Sequence, residues 1–327
     1  MQGALKFIKS LLLIFLIISA IIAVYGYYYL NLSRPLAEEK TVILPKGSSL
    51  IQISETLEQN GIIRNHYAFA ASALLLKLNR RLQAGEYKFD AHISPLEAME
   101  KVARGEMVKH SITIPEGLTT TEILKIITDD ANLTESITMK PIEGDLLPET
   151  YIFSYGYTRD ELIHRMMEAR IKFLTEEWEK RAMDLPLGTP EKALTLASIV
   201  EKETGLPEER PRIAGVFINR LKKGMPLQSD PTVIYAITNG KSDLNRALTT
   251  GDLKIQSPYN TYMVQSLPPA PIANPGKESI HAALHPAETN ELYFVASGNG
   301  GHLFSATLDG HNKNVKAYRK LKSESGN

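Results

Sequence analysis

TVILPKGSSLIQISETLEQNGII (residues 41–63) and SITIPEGLTTTEILKIITDDANL (residues 111–133) are two copies of one pattern. Pro45 aligns with Pro115, Gly47 with Gly117 and Ile53 with Ile123. Each copy predicts a β-branched strand, a Pro-x-Gly turn, a Ser or Thr cap and an amphipathic helix. Two copies are too few for a solenoid. Between them, Tyr67 to Leu82 reads as a helix, AGEYKF (84–89) as a strand and Pro95 to Arg104 as another helix. Strands and helices alternating on this scale predict an α+β fold, with a small α/β subdomain over 41–133.

Toward the N-terminus the composition changes. Residues 1–10 carry Lys6 and Lys9, and LLLIFLIISAIIAVYGYYYL (11–30) carries no charge at all. About 20 apolar residues span a bilayer as a helix, roughly twice a signal-peptide core. Tyr25, Tyr27, Tyr28 and Tyr29 gather at one end, where amphipathic rings favour the lipid–water boundary. The lysines precede the span, so 1–10 is expected in the cytoplasm and 11–30 in the membrane. A connector (31–40) then leads to an exported remainder. A cleaved signal peptide is the alternative, with processing near Ala20 or Ala23. The span length and the lack of an A-x-A-like site favour the anchor.

Beyond the repeats, residues 134–327 predict a larger mixed α+β region. PIEGDLLPETYIFSYGY (141–157) reads as a crossing segment rich in Pro, Gly and Tyr. Helices are expected from Arg159 to about Ala182, from Lys192 to Thr204 and from about Arg210 to Lys223. After Gly224 the chain reads as loop, with Pro231, Pro258, Pro268, Pro269, Pro271 and Pro275 close together. So long a loop inside a folded domain is usually functional. A helix near Ser279 to Leu284, a strand at 292–297, a turn at GNGGH (298–302) and a helix from Asn312 to Lys322 complete the region.

Composition removes several function classes. The 327 residues hold 37 Lys and Arg against 37 Asp and Glu, so no nucleic-acid partner is expected. The chain has no Cys, which excludes a disulfide scaffold, a thiolate zinc site, an iron–sulfur cluster and a cysteine nucleophile. Dinucleotide, P-loop, hydrolase-elbow and H-E-x-x-H signatures are missing. His281 and His285 stand four apart, as metal ligands on one helix face can. The intervening AAL offers no general base, no third ligand is evident, and Pro286 ends the helix. No metal and no cofactor are expected.

LTLASIVEKETG (194–205) is the stretch that suggests chemistry. At 100° per residue, Leu196, Ile199, Val200 and Glu203 share one side of the helix, and Glu201 and Lys202 lie to the flanks. Glu203 therefore ends a stripe that faces a core or a cleft, where desolvation raises a carboxyl pKa. A carboxyl kept protonated beside apolar surface suits a general acid in glycoside cleavage. Equally, Glu203 could close the helix end through a salt bridge to Arg210, Arg212 or Arg220. Residue types that grip sugars crowd nearby. VFINRL holds Asn219 and Arg220, LQSDPTVIY holds Gln228, Ser229, Asp230 and Tyr235, and SPYNTY holds Tyr259, Asn260 and Tyr262. Each has a plain structural role too: Asp230-Pro231 can start a turn, and Asn260 can sit in one.

SIVEKET, VFINRL, LQSDPTVIY, SPYNTY, LPPAPIANPG, HPA and YFVASGNGGHLFS, in this order, resemble the endolytic murein transglycosylases, the YceG-like family. The resemblance extends to the N-terminal anchor and to EGDLLPETY. It implies cleavage of the β-1,4 bond between N-acetylmuramic acid and N-acetylglucosamine inside peptidoglycan glycan strands. That cleavage leaves 1,6-anhydro-muramyl ends and trims or terminates nascent strands. It also implies that Glu203, followed by Thr204, is the catalytic carboxyl. Thr204, Asn219, Arg220, Gln228, Asp230, Tyr235, Tyr259, Asn260 and Tyr262 are the candidate substrate contacts. His285 belongs to the HPA motif, and His281 lies outside the motifs. The strand–helix repeat resembles LysM-type carbohydrate-binding modules. Wall-synthesis enzymes such as penicillin-binding proteins are the partners the resemblance suggests. A hydrolytic muramidase using Asp230, and a non-enzymatic wall-binding scaffold, are the rival readings.

Overall fold

The computed structural model describes residues 2–242 and 244–324 and divides the chain into two units. The first unit comprises Met1–His110 with Ile152–Gly156, and the second comprises Ser111–Tyr151 with Tyr157–Asn327. The architecture is mixed α+β.

The first unit opens with α1 (Gln2–Leu32). Its Leu5–Leu32 segment is, among the described residues, the one helix long and apolar enough to cross a membrane. Strand β1 (Lys40–Leu44), helices α2 (Leu50–Gln59) and α3 (His66–Leu75), strand β2 (Gly85–Phe89) and helix α4 (Pro95–Arg104) follow. β1 and β2 pair antiparallel, from Lys40 opposite Phe89 to Leu44 opposite Gly85. Alternation sets what each strand buries. Val42, Leu44, Tyr87 and Phe89 point inward with Ile53, Leu57, Phe69 and Met99, while Ile43 faces out. Both α2 and α4 begin with reciprocal capping boxes, Ser49 with Gln52 and Ser94 with Glu97. The helix expected over 67–82 stops at Leu75 because Lys77 adopts a left-handed φ of 58°. The Leu78 N–H then bonds the Ala73 carbonyl and the Lys77 N–H that of Leu74, a Schellman closure made without glycine.

The boundary between units falls within both β3 (Lys109–Thr113) and β4 (Thr150–Ser154), which form a second two-stranded sheet. β4 lies in the stretch read from sequence as a crossing segment. In the second unit, α5 (Thr120–Asp129) carries the second repeat's helix, with a Thr119–Glu122 capping box. Helices α6 (Arg159–Glu179), α7 (Pro190–Glu203) and α8 (Arg210–Lys222) fall where sequence placed them. α9 (Asp230–Thr238) does not: Asp230-Pro231 starts a helix, with Pro in the first turn where its missing N–H is harmless. α10 (Lys277–Leu284), β5 (Tyr293–Ala296), β6 (His302–Ser305) and α11 (Leu308–Glu324) complete the chain. β5 and β6 form an antiparallel hairpin closed by Ser297 N–H to Gly301 carbonyl, so GNGGH is a hairpin turn.

α7 is the centre of this unit. Ala193 to Val200 are all buried, among Ile213, Phe217 and Ala283 from α8 and α10. A helix buried on every side is held rigidly, and its last residue is Glu203.

Candidate active site

Leu196, Ile199 and Val200 are fully buried, and the stripe they form carries Glu203 out of the core into a cavity of about 300 Å³. Arg220, Gln228, Asp230, Tyr262 and Phe294 line the same cavity. Of the sequence candidates, then, Glu203 is brought together with four.

None of the three arginines that could have neutralised Glu203 does so. Arg210 pairs with Glu201 at 3.2 Å and Glu116 at 3.1 Å. Arg212 forks onto Glu291 and lies 4.1 Å over the Phe304 ring. Arg220 is buried and spends its donors on the carbonyls of Leu292 (2.7 Å), Leu227 (2.8 Å) and Pro226 (3.2 Å) and on the Gln228 amide oxygen (3.3 Å). Glu203 accepts instead from the Ser229 hydroxyl at 2.5 Å. Desolvation pushes its carboxyl up from 4.5 to about 7, and the neighbouring Asp230 charge adds to the rise. The Ser229 bond and the positive charge of Arg220 oppose it and lose.

Glu201, two residues earlier, is fully engaged. It accepts from Arg210 and, at 2.9 Å, from the Gly276 N–H, and only 5 % of its side chain is exposed. Of the two glutamates, only Glu203 has a free face toward the cavity.

The loop that carries Ser229 is built for this contact. Ser229 occupies the N-cap of α9, yet its hydroxyl caps nothing because it serves Glu203. Gln228 sits at φ 52°, a left-handed conformation that costs a non-glycine residue about 1 kcal/mol or more. Buried Thr232 and Thr261 hold the loop, sharing a 2.8 Å bond, and Thr261 accepts the Ser229 N–H at 3.0 Å. Tyr262 donates to Asp230 at 2.7 Å, and burial pushes its phenol well above its usual range.

The remaining candidates stand elsewhere. Thr204 closes α7, accepting the Leu206 N–H at 3.0 Å and contacting Glu209. Asn219 ties down the carbonyls of Thr289 (2.7 Å) and Glu291 (3.0 Å). Asn260 is fully buried, bonding the carbonyls of Leu253 and Ile255 and receiving the Tyr262 N–H, so it positions Tyr262 from behind. Tyr235 and Tyr259 pack on each other at 4.9 Å, and Tyr235 donates to Glu143 at 3.3 Å. Tyr235 also borders a second cavity, about 350 Å³, with Thr119, Lys202 and Arg246. That cavity is the larger of the two, but among the described residues it holds no carboxyl with the environment of Glu203.

Thr232, Thr261 and Phe294 are not singled out from sequence, and Ser229, read there only as a sugar-gripping type, holds Glu203 instead. A Ser before Asp-Pro signals a helix cap, which hides the contact it makes. One expectation about His281 and His285 is corrected. α6 supplies a third ligand-type group, Glu177, and the three donor atoms lie within 4.8 Å of one another. His281 Nδ1 lies 2.6 Å from the Glu177 carboxylate, and none of the three lines the Glu203 cavity. These residues could hold a divalent ion, but they are not part of this site.

The sequence profile of the YceG-like family matches residues 42–317. The chain is 35 % identical to an endolytic murein transglycosylase of Bacillus subtilis (strain 168), over 91 % of each chain. It is 30 % identical to an endolytic murein transglycosylase of Streptococcus pneumoniae serotype 2, over 94 % of this chain and 65 % of that one. Among solved structures, a yceG-like protein from Listeria monocytogenes is similar at a TM-score of 0.51. It shares 33 % identity over 85 % of this chain and 99 % of that one.

Proposed function

Since the chain belongs to the YceG-like family, we propose that it is an endolytic lytic transglycosylase of peptidoglycan, with Glu203 as its catalytic carboxyl. The observation that carries the assignment is Glu203 itself: among the described residues no cation pairs with it, and its carboxyl is raised to about 7 at a cavity wall. Protonated Glu203 gives its proton to the glycosidic oxygen, the C1–O bond breaks, and positive charge develops at the muramyl C1. The carboxylate then takes the proton of the C6 hydroxyl on the same sugar as that oxygen closes onto C1. The product is a 1,6-anhydro-muramyl end, and Glu203 returns to its protonated form.

An internal hydroxyl replaces water, so no second base is needed, and ring closure gains from proximity. Ser229 aims the carboxyl. Asp230, held by Tyr262, faces the developing positive charge, and Gln228 offers its amide to sugar hydroxyls. Around this chemistry, α1 anchors the protein in the bacterial cell membrane with residues 1–10 inside and the catalytic region outside. The LysM-like region over 41–133 engages glycan, and wall-synthesis enzymes such as penicillin-binding proteins are partners.

Mass spectrometry of purified glycan strands after digestion tests the reaction. Anhydro-muramyl ends are expected. Reducing ends would mean hydrolysis with Asp230 directing water, and glycan binding without cleavage would mean a scaffold. Glu203→Gln should lower cleavage by about 10²-fold or more, as for loss of a general acid. Comparable loss in Glu201→Gln would mean the wrong carboxyl has been chosen.

A further inference from the structure

Helix α3, HYAFAASALL, carries no acidic or basic residue apart from His66 and is apolar on two faces. Phe69, Ala70 and Ala73 turn into the core of the first unit. On the opposite side Tyr67, Leu74 and Leu75 are 68 %, 57 % and 83 % exposed, with exposed Ala71 between them and exposed Leu76 at the cap. The spacing 67, 71, 74, 75 is a single helical stripe. In water that stripe should carry charge; here it carries a tyrosine and leucines.

Its surroundings indicate what covers it. Tyr29, near the end of α1, donates its hydroxyl to the carbonyl of Asn65 at 2.7 Å, and Asn65 is the N-cap of α3. α3 therefore begins at the level of the tyrosine belt of α1, where Tyr25, Tyr27 and Tyr28 are exposed. Just past its end come Lys77, Arg80 and Arg81, all exposed, and among the described residues none of them is in an ion pair or a side-chain hydrogen bond. An apolar stripe continuous with a membrane-spanning helix, followed by unpaired cations, has the composition of an interfacial helix.

We propose that α3 is a second membrane contact. Its Tyr67–Leu75 stripe sits in the acyl boundary of the outer leaflet, and Lys77, Arg80 and Arg81 lie on anionic headgroups. The inference rests on the reading of α1 as an anchor. One spanning helix leaves the domain above it free to tilt. A second contact fixes the height and orientation of the first unit over the bilayer.

The chain contains no Cys, so single probes can be placed cleanly. Full-length protein would be reconstituted in phosphatidylcholine vesicles with and without phosphatidylglycerol. An environment-sensitive dye would be attached at Leu75→Cys, Tyr67→Cys, Phe15→Cys (inside the span) or Lys172→Cys (exposed in α6). Lipids spin-labelled just below the headgroup should quench the Leu75 and Tyr67 probes roughly threefold more than the Lys172 probe, as for a helix buried at the headgroup boundary. Phosphatidylglycerol should strengthen that quenching, and equal quenching without it overturns the role given to the three cations. A quenched Phe15 probe with Leu75 no better quenched than Lys172 overturns the docking and leaves the anchor intact. A Leu75 probe shielded from water but not quenched by lipid means that a protein, or a second copy of this chain, covers the stripe. An unquenched Phe15 probe removes the anchor, and the docking falls with it.

Discussion

Glu203→Gln should lower cleavage by about 10²-fold or more and stabilise the fold, by an amount that grows with pH. The unfolded chain ionises this carboxyl near 4.5, whereas the folded site holds the proton until about 7. Below pH 4.5 Glu203 is protonated in both states and contributes no penalty. As pH rises through the folded value the unfolded chain gains from ionisation earlier, so native stability falls and the full deficit is present above pH 7. A carboxyl displaced from 4.5 to about 7 corresponds to about 3 kcal/mol at 1.36 kcal/mol per pH unit. Glutamine has the same shape, still accepts the Ser229 hydroxyl, and never ionises. In a domain of this size that difference is worth up to about 6–10 °C in melting temperature. Scanning calorimetry of both proteins from pH 4.5 to 8.5 gives the comparison. The variant should match wild type at the acid end and exceed it increasingly toward pH 8. A constant difference, or one that shrinks with pH, would mean that Glu203 ionises like a surface glutamate. The general-acid assignment would then lose its physical basis.

Ser229→Ala removes the one hydrogen bond that favours ionised Glu203, so the alkaline limb of the pH–rate profile should move up by about one unit, from the strength of a hydrogen bond to a charge. A limb that stays or moves down refutes this, and the melting temperature should change little because the hydroxyl caps no backbone group. Glu201→Gln leaves buried Arg210 with exposed Glu116 alone; stability should drop by about 2–3 kcal/mol while product chemistry at low temperature is unchanged. Arg220→Lys cannot reproduce four bonds from one planar fork, so cleavage should fall by about tenfold or more and chemical denaturation should shift to lower denaturant. Wild-type values for either readout would show that Arg220 does not shape the loop that carries Gln228 and Ser229.

What the sequence reveals follows from how local the cause is. The repeat is legible because each copy carries its own cap, Ser49 with Gln52 and Thr119 with Glu122, within four residues. The α7 stripe is legible because helical spacing alone puts Glu203 beside Leu196, Ile199 and Val200. By contrast, which arginine meets which glutamate depends on packing, and Arg210, Arg212 and Arg220 look alike in the string. Between Gly224 and Pro275 no periodicity exists to read, so α9 is missed. The buried Ser229–Thr232–Thr261 network joins residues about thirty positions apart. Asn260 and Tyr262, two positions apart in sequence and alike as sugar-binding types, part in space: one is buried under the loop and the other faces the cavity.

The two glutamates of EKET also differ in how they meet the end of their helix. Both lie in the last turn of α7, where the unsatisfied carbonyls present the negative end of the helix dipole and disfavour an anion. Glu201 meets a buried guanidinium and the Gly276 N–H there, and both of its oxygens are engaged in structural contacts. Glu203 has a desolvating wall and a nearby Asp230 that act with the field toward the protonated form, opposed only by the neutral Ser229 hydroxyl and by Arg220. Its single donor is taken from the N-cap of α9, a position where a serine ordinarily stabilises its own helix by about 1 kcal/mol. Two local rules are broken side by side, an acid at the wrong end of one helix and an unused cap at the start of the next. Each fits the proposal that the carboxyl they frame carries a proton near neutral pH and releases it on demand.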